Sequence, residues 1–141
     1  MIQAAHWQDA LALGSWRWLP WFSPREMACG HCGALVAHEP FMDRLVALRQ
    51  AHGRPMQVIS GYRCKAHPLE VVKDSPGTGP HCRGRAIDPG VAQDDVGRVM
   101  RLAREAGFTR CGLRFGVAGF QLHLDDLPCE RADGDLMLWP Y

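Results

Sequence analysis

Two stretches of this chain carry a helical repeat of apolar positions. In residues 40–52, Phe41, Leu45 and Leu48 fall on one face with Val46 beside them, while Asp43, Arg44, Arg49 and Gln50 fall elsewhere. Pro40 suits a first turn and Gly53 suits a stop. In residues 93–106, Val96, Val99, Met100 and Ala103 make a second stripe. Asp94 and Asp95 stand at its start, where carboxylates favour the helix dipole, and Arg101 and Arg104 stand in its last turns. Ser23-Pro24-Arg25-Glu26 reads as a shorter helix start, with Ser23 as cap, Pro24 as first helical residue and Glu26 reaching back.

Strand signals are shorter. Residues 56–60 form an apolar run around Val58 and Ile59, and residues 85–88 form another that Pro89-Gly90 ends. Residues 111–115 and 120–124 predict a hairpin with Gly116 and Gly119 in its connection. Alternation in the second strand points Phe120, Leu122 and Leu124 one way and Gln121, His123 and Asp125 the other. Residues 64–80, rich in Pro, Gly, Ser and Lys, predict a long irregular loop. The elements together predict an α+β fold: a small antiparallel sheet with flanking helices and a cleft on one sheet face.

Residues 1–22 stand apart, because Trp7, Trp16, Trp18 and Trp21 are four of the five tryptophans. They predict an N-terminal cap that plugs the core of a domain spanning residues 23–141, or else an aromatic surface for a partner protein or a glycan. A chain of 141 residues suits one core. A net charge of +1 gives no electrostatic case for nucleic acid as a partner. No uncharged apolar run of about 18 residues predicts membrane insertion. The N-terminus lacks a basic start followed by an apolar stretch, so no signal peptide is expected and synthesis in a cytoplasm is.

The candidate chemistry lies in Gly79-Pro80-His81-Cys82-Arg83-Gly84-Arg85-Ala86-Ile87-Asp88 and in Phe120-Gln121-Leu122-His123-Leu124-Asp125. His81, Asp88 and His123 offer two imidazoles and a carboxylate from separate elements. Three protein ligands with a fourth position left for water distinguish a catalytic zinc from a closed structural one. Gly84 and Ala86 are small enough to let a strand pack closely under a metal. Cys29-Gly30-His31-Cys32 is a separate C-x-x-C pair. It is half a structural zinc site that Cys64 or Cys82 would complete, or a disulfide partner of Cys64, or a pair of small buried thiols.

"SGYR" at Ser60–Arg63, "H-x-x-G-x-A-x-D" at His81–Asp88 and "H-x-D" at His123–Asp125, in this order, resemble the zinc D-Ala-D-Ala carboxypeptidases and phage L-alanyl-D-glutamate endopeptidases. These are LAS-type peptidoglycan peptidases, which share their metal-site architecture with the hedgehog signalling domain. The resemblance covers about residues 23–126. It implies one catalytic Zn²⁺ on His81, Asp88 and His123, and Arg63 beside the metal to steady a scissile carbonyl or a stem-peptide carboxylate. Stem peptides of peptidoglycan would be the substrate, and phage tail proteins a second class of partner. The site of action would be the periplasm and cell wall, or a virion.

One departure stands out. Family members place a Glu or Asp three residues before the last ligand, or a His five before it; here Phe120 and Ala118 hold those positions. Asp125 would then serve as a base or orient His123, while Glu70 and His67 in the long loop could swing over the metal. The expected function is zinc-dependent hydrolysis of a stem peptide bond. The alternative is a non-catalytic module of a virion tail that keeps the fold as a scaffold.

Overall fold

The computed structural model describes residues 1–116, 119–129 and 137–140. Its main sheet has five strands in the order β3-β4-β6-β5-β7: β3 (Gln57–Ser60), β4 (Ala86–Gly90), β5 (Arg110–Gly116), β6 (Gly119–Asp125) and β7 (Met137–Pro140). All neighbours are antiparallel except β5 and β7. The predicted hairpin is present as β5 and β6, each longer by two residues; Val117 and Ala118 at its tip lie outside the described residues. The parallel edge strand β7 has no counterpart in the expected sheet.

Behind the sheet lie α3 (Glu39–His52) and α5 (Val96–Glu105). Phe41, Leu45 and Leu48 of α3 meet Val99, Leu102 and Ala103 of α5, and both meet Ile87, Leu122 and Leu124 from the sheet in one buried cluster. Gly53 closes α3 with a left-handed φ of 71°, a conformation that costs glycine little. Helix α5 starts later than its stripe suggests. Residues Gln93–Asp95 form a 3₁₀ turn, and Leu102 rather than Val96 is buried.

Pro89 and Gly90 do not end β4 but extend it, pairing with Val58 and Gln57 of β3. Strand β4 pairs with β6 only at Ala86 and Ile87, so Pro89 lies where β4 has one neighbour. A residue without an N–H is tolerated at such an edge. The expected irregular loop contains α4 (Pro68–Val71), capped by His67, whose Nδ1 accepts from Leu69 N at 3.1 Å. Four residues are too few to show a helical repeat.

The N-terminal segment contains a strand, a helix and buried indoles. Strand β1 (Ile2–Ala4) pairs antiparallel with β2 (Leu35–Ala37), and α1 (Trp7–Ala12) follows it. Trp16, Trp18 and Phe22 are buried in the same cluster as the helices. The indole of Trp16 donates to Phe22 O at 2.7 Å, and that of Trp18 donates to Asp43 Oδ1 of α3 at 2.7 Å. Trp21 remains 39% exposed, with the guanidinium of Arg49 over its ring. Ahead of β2 comes α2 (Pro24–Met27), on which Ser23 and Glu26 form the reciprocal cap that their spacing predicts. Among the described residues no helix is long and apolar enough to cross a membrane.

Candidate metal centre

Pleat and register carry one row of residues across the front of the sheet. Ser60 pairs with Asp88, Gly112 pairs with His123, and the β4–β6 register that joins Ala86 to Asp125 and Ile87 to Leu124 sets Asp88 beside His123. His81 comes from a 3₁₀ turn (His81–Arg83) just before β4. The three side chains are buried and converge. His123 Nδ1 is 2.8 Å from Asp88 Oδ1, and His81 Nε2 is 3.2 Å from both.

The outer ring nitrogens are spoken for. His81 Nδ1 donates to Gly61 O at 2.6 Å, and His123 Nε2 donates to Asp125 Oδ2 at 3.0 Å. In the neutral tautomers these partners select, both inward nitrogens and Asp88 Oδ1 are electron-pair donors facing one another. A cation relieves that crowding. Tetrahedral zinc with bonds of about 2.0–2.1 Å sets adjacent ligand atoms roughly 3.3 Å apart, close to the spacing found. The donor set therefore fits a zinc ion. Metal-free, a proton takes part of that role. Burial works to lower the pKa of His123, but Asp125 and Asp88 outweigh it and raise it. Burial also opposes ionisation of Asp88, yet the two imidazoles hold it well below the usual carboxylate range. His81 is pushed down, chiefly by burial.

Arg63 stands where the motif order places it, beside Asp88. Its guanidinium donates to Asp88 Oδ2, its Nε donates to Ser60 Oγ at 2.8 Å, and Nη1 lies 3.8 Å from Glu70 Oε1. Arg63 thus fixes the second oxygen of a ligand carboxylate while forming part of the cleft wall. Glu70 does not swing over the metal. It is fully buried behind Arg63 and accepts from Lys73 Nζ at 2.6 Å. His67 does not line the cleft either; it caps α4 and faces His31, with ring centroids 6.4 Å apart.

Asp125 is sealed behind His123. Its oxygens accept from His123, from Arg110 Nε and Nη2 at 2.7 and 2.8 Å, and from Leu127 N at 3.0 Å. This arrangement orients the imidazole from the side away from the other ligands. Phe120 packs against the core with Leu122 and Leu124, and Ala118 lies outside the described residues. Gly84 serves a different purpose from the one its size suggests. It ends the 3₁₀ turn with φ of 64°, and a Cβ there would meet Val36 O at 2.3 Å, so it docks the turn on β2 rather than under the metal.

The three candidate ligands open into a cleft of about 300 Å³ that Arg63, Lys73, Arg110, Arg114 and Gln121 also line. Among its described lining residues Asp88 is the sole carboxylate. A larger hollow of about 750 Å³, lined by Gln3, Val36, His38, Tyr62 and Arg85 among others, touches none of the three. Gly61 and Arg110 escape a reading by motif. A carbonyl's role leaves no trace in residue type, but counting back from the hairpin's Gly116–Gly119 pair sets Arg110 opposite Asp125.

The cysteines gather elsewhere. The sulfurs of Cys29, Cys32 and Cys64 lie within 4.8 Å of one another, and none of the three is in a disulfide. Cys82, the other candidate to complete the pair, stands beside Glu70 instead; burial and that carboxylate push its thiol up to about 11.

A mixed sheet that carries two imidazoles and a carboxylate into an open, cation-lined cleft has the ligand set of a metal centre. The chain matches the peptidase M15 family model over residues 21–125, and it belongs to that family of metallopeptidases. No curated protein and no solved structure matches it.

Proposed function

We propose that this protein is a zinc peptidase that hydrolyses a peptide bond in the peptidoglycan stem, as a D-Ala-D-Ala carboxypeptidase or an L-Ala-D-Glu endopeptidase, in phage lysis or as a tail-associated wall hydrolase. The observation that carries the zinc reading is the convergence of His81 Nε2, Asp88 Oδ1 and His123 Nδ1, all electron-pair donors, at tetrahedral spacing. Zinc on these residues would lower the pKa of a bound water to about 7 and polarise a carbonyl.

The chain's own residues do the rest. Gly61 O and Asp125 hold the two imidazoles in the tautomers that face inward. Arg63 locks Asp88 with one edge and has further N–H donors for an oxygen that gains charge as the carbonyl is attacked. Arg114 and Lys73 at the cleft give it a positive rim, which favours a peptide bearing free carboxylates, as stem peptides do. Gly112, opposite His123 in the register, adds no side chain beside the ligands.

Among the described lining residues no carboxylate besides Asp88 faces the cleft, and this favours a second reading, a virion-tail module that retains the fold without turnover. Mass spectrometry of purified muropeptides after incubation with zinc-loaded protein separates the two. Loss of the terminal D-Ala supports carboxypeptidase action, and release at L-Ala supports endopeptidase action. Unchanged muropeptides across zinc concentration and pH would replace the enzyme with the module.

A further inference from the structure

The C-x-x-C pair Cys29 and Cys32 meets the remote Cys64 at one point that the proposed reaction does not use. We propose that Cys29, Cys32, Cys64 and His31 hold a second, structural zinc ion. The inference does not depend on the protein's being a peptidase.

The turn after α2 is built for it. Gly33 N donates to Cys29 O and Cys29 N donates to Ala34 O, both at 2.8 Å, which closes the chain on itself and turns Cys29 and Cys32 toward the same point. Gly33 takes the left-handed φ of 75° that this turn needs, and a Cβ there would strike the ring of His6 at 2.5 Å. Cys64 N donates to Cys29 Sγ at 3.3 Å, an arrangement that suits a thiolate. Tetrahedral zinc with Zn–S bonds of about 2.3 Å sets sulfurs about 3.8 Å apart, within the 4.8 Å that encloses the three here. His31 Nδ1 lies 3.5 Å from Cys64 Sγ, and a zinc-bound nitrogen and sulfur lie roughly 3.6 Å apart. His31 is not one of the three groups within 4.8 Å of one another, so it must turn toward the sulfurs to take the fourth position. Three thiolates and an imidazole favour zinc over magnesium or calcium, and four protein ligands leave no position for substrate. A disulfide would use two of the three sulfurs and strand the third beside the imidazole.

The ion's place in the fold gives it a task. Four consecutive residues link the two sites. Gly61 O receives His81, Tyr62 N donates to Met27 O at 2.8 Å, Arg63 grips Asp88, and Cys64 reaches the thiol cluster. The backbone at Gly61 runs so close to Met27 that a Cβ would lie 2.6 Å from its carbonyl oxygen. A metal at the cysteines staples the end of α2 to the segment that orients two of the front ligands.

The test is metal content and cobalt spectroscopy of the His81→Ala/His123→Ala protein, kept reduced. This variant lacks the front site, so its readout owes nothing to turnover. We expect about one zinc per chain to remain, Co²⁺ exchange to give thiolate-to-cobalt charge-transfer absorption, and Cys32→Ser in the same background to lose both. A folded double variant with no bound metal, or with a disulfide among Cys29, Cys32 and Cys64, overturns the proposal. Should the double variant not fold, wild-type stoichiometry decides. About two zinc ions per chain, falling to about one with Cys32→Ser, supports the site; about one with six titratable thiols overturns it.

Discussion

The front of the sheet and the turn after α2 each gather three ligand atoms within 4.8 Å, yet they are built in opposite ways. His81, Asp88 and His123 are all buried, two of them on neighbouring strands, and each is oriented by a partner behind it: Gly61, Arg63 and Asp125. Cys29, Cys32 and Cys64 lie on loops, from buried to exposed, and their partners are a backbone amide, the His31 ring and one another. The first trio has a rigid frame without a metal and a cleft in front of it. Among the described residues the second has no frame of comparable strength, and its cysteines do not line the cleft of the first. Equal ligand counts therefore carry different tasks, because preorganised ligands with open space suit chemistry, whereas ligands on loops gain order from the ion they bind.

That contrast is broken most severely at the front. His123→Ala or His81→Ala should reduce muropeptide turnover below detection and remove one zinc per chain while the protein stays folded; unchanged zinc content in His123→Ala, with the thiol site counted separately, would refute the ligand assignment. Arg63→Ala should lower kcat by about 10²- to 10³-fold, since it unlocks Asp88 and removes donors from the cleft wall. His67→Ala, at a residue that does not line the cleft, should leave kcat nearly unchanged, and kcat values for the pair check both. Asp125→Asn keeps an acceptor for His123 but loses its charge. It should weaken zinc binding by roughly 10- to 100-fold in a chelator competition, with turnover restored by excess zinc. Full zinc occupancy with abolished turnover would instead make Asp125 a base.

Stability sharpens the comparison from the other side. Cys32→Ser should lower Tm more than it lowers turnover measured well below Tm, whereas His123→Ala should do the reverse. Saturating metal at about 1,000 times its Kd is worth about 4 kcal/mol to a fold that binds it, and the thiol site should supply most of that gain. The smallest effect concerns pH. In metal-free protein the contribution of His123 is full below its ordinary pKa of 6.5 and is lost as pH rises through its raised folded value. That of Asp88 is full above 3.8 and is lost as pH falls through its depressed value. Metal binding needs the imidazoles unprotonated, so it gains as pH rises. Stripping the front metal should therefore move the pH of maximal Tm toward the acid side, as thermal scans with and without chelator would show.

Much of this was legible in residue order. The α3 stripe with Gly53 after it, the Ser23–Glu26 cap and the alternation that puts His123 and Asp125 on one face are local properties, set by a repeat of 3.6 or 2 residues and by which side chains reach their own backbone. Motif order pointed to His81, Asp88, His123 and Arg63 for the same reason, since each occupies a short, recognisable context. What residue order left open was partnership over distance. That Cys64 and not Cys82 meets the C-x-x-C pair depends on how the chain turns after β3, and Glu70 is a buried support of Arg63 because α4 folds inward. Strand register set Arg110 behind Asp125, and a carbonyl at Gly61 fixed a histidine twenty residues away. Local sequence specifies what a segment can form and which chemistry it bears. Only packing decides which of those groups meet, because contact between remote residues follows from the burial of the whole core rather than from any one segment's preference.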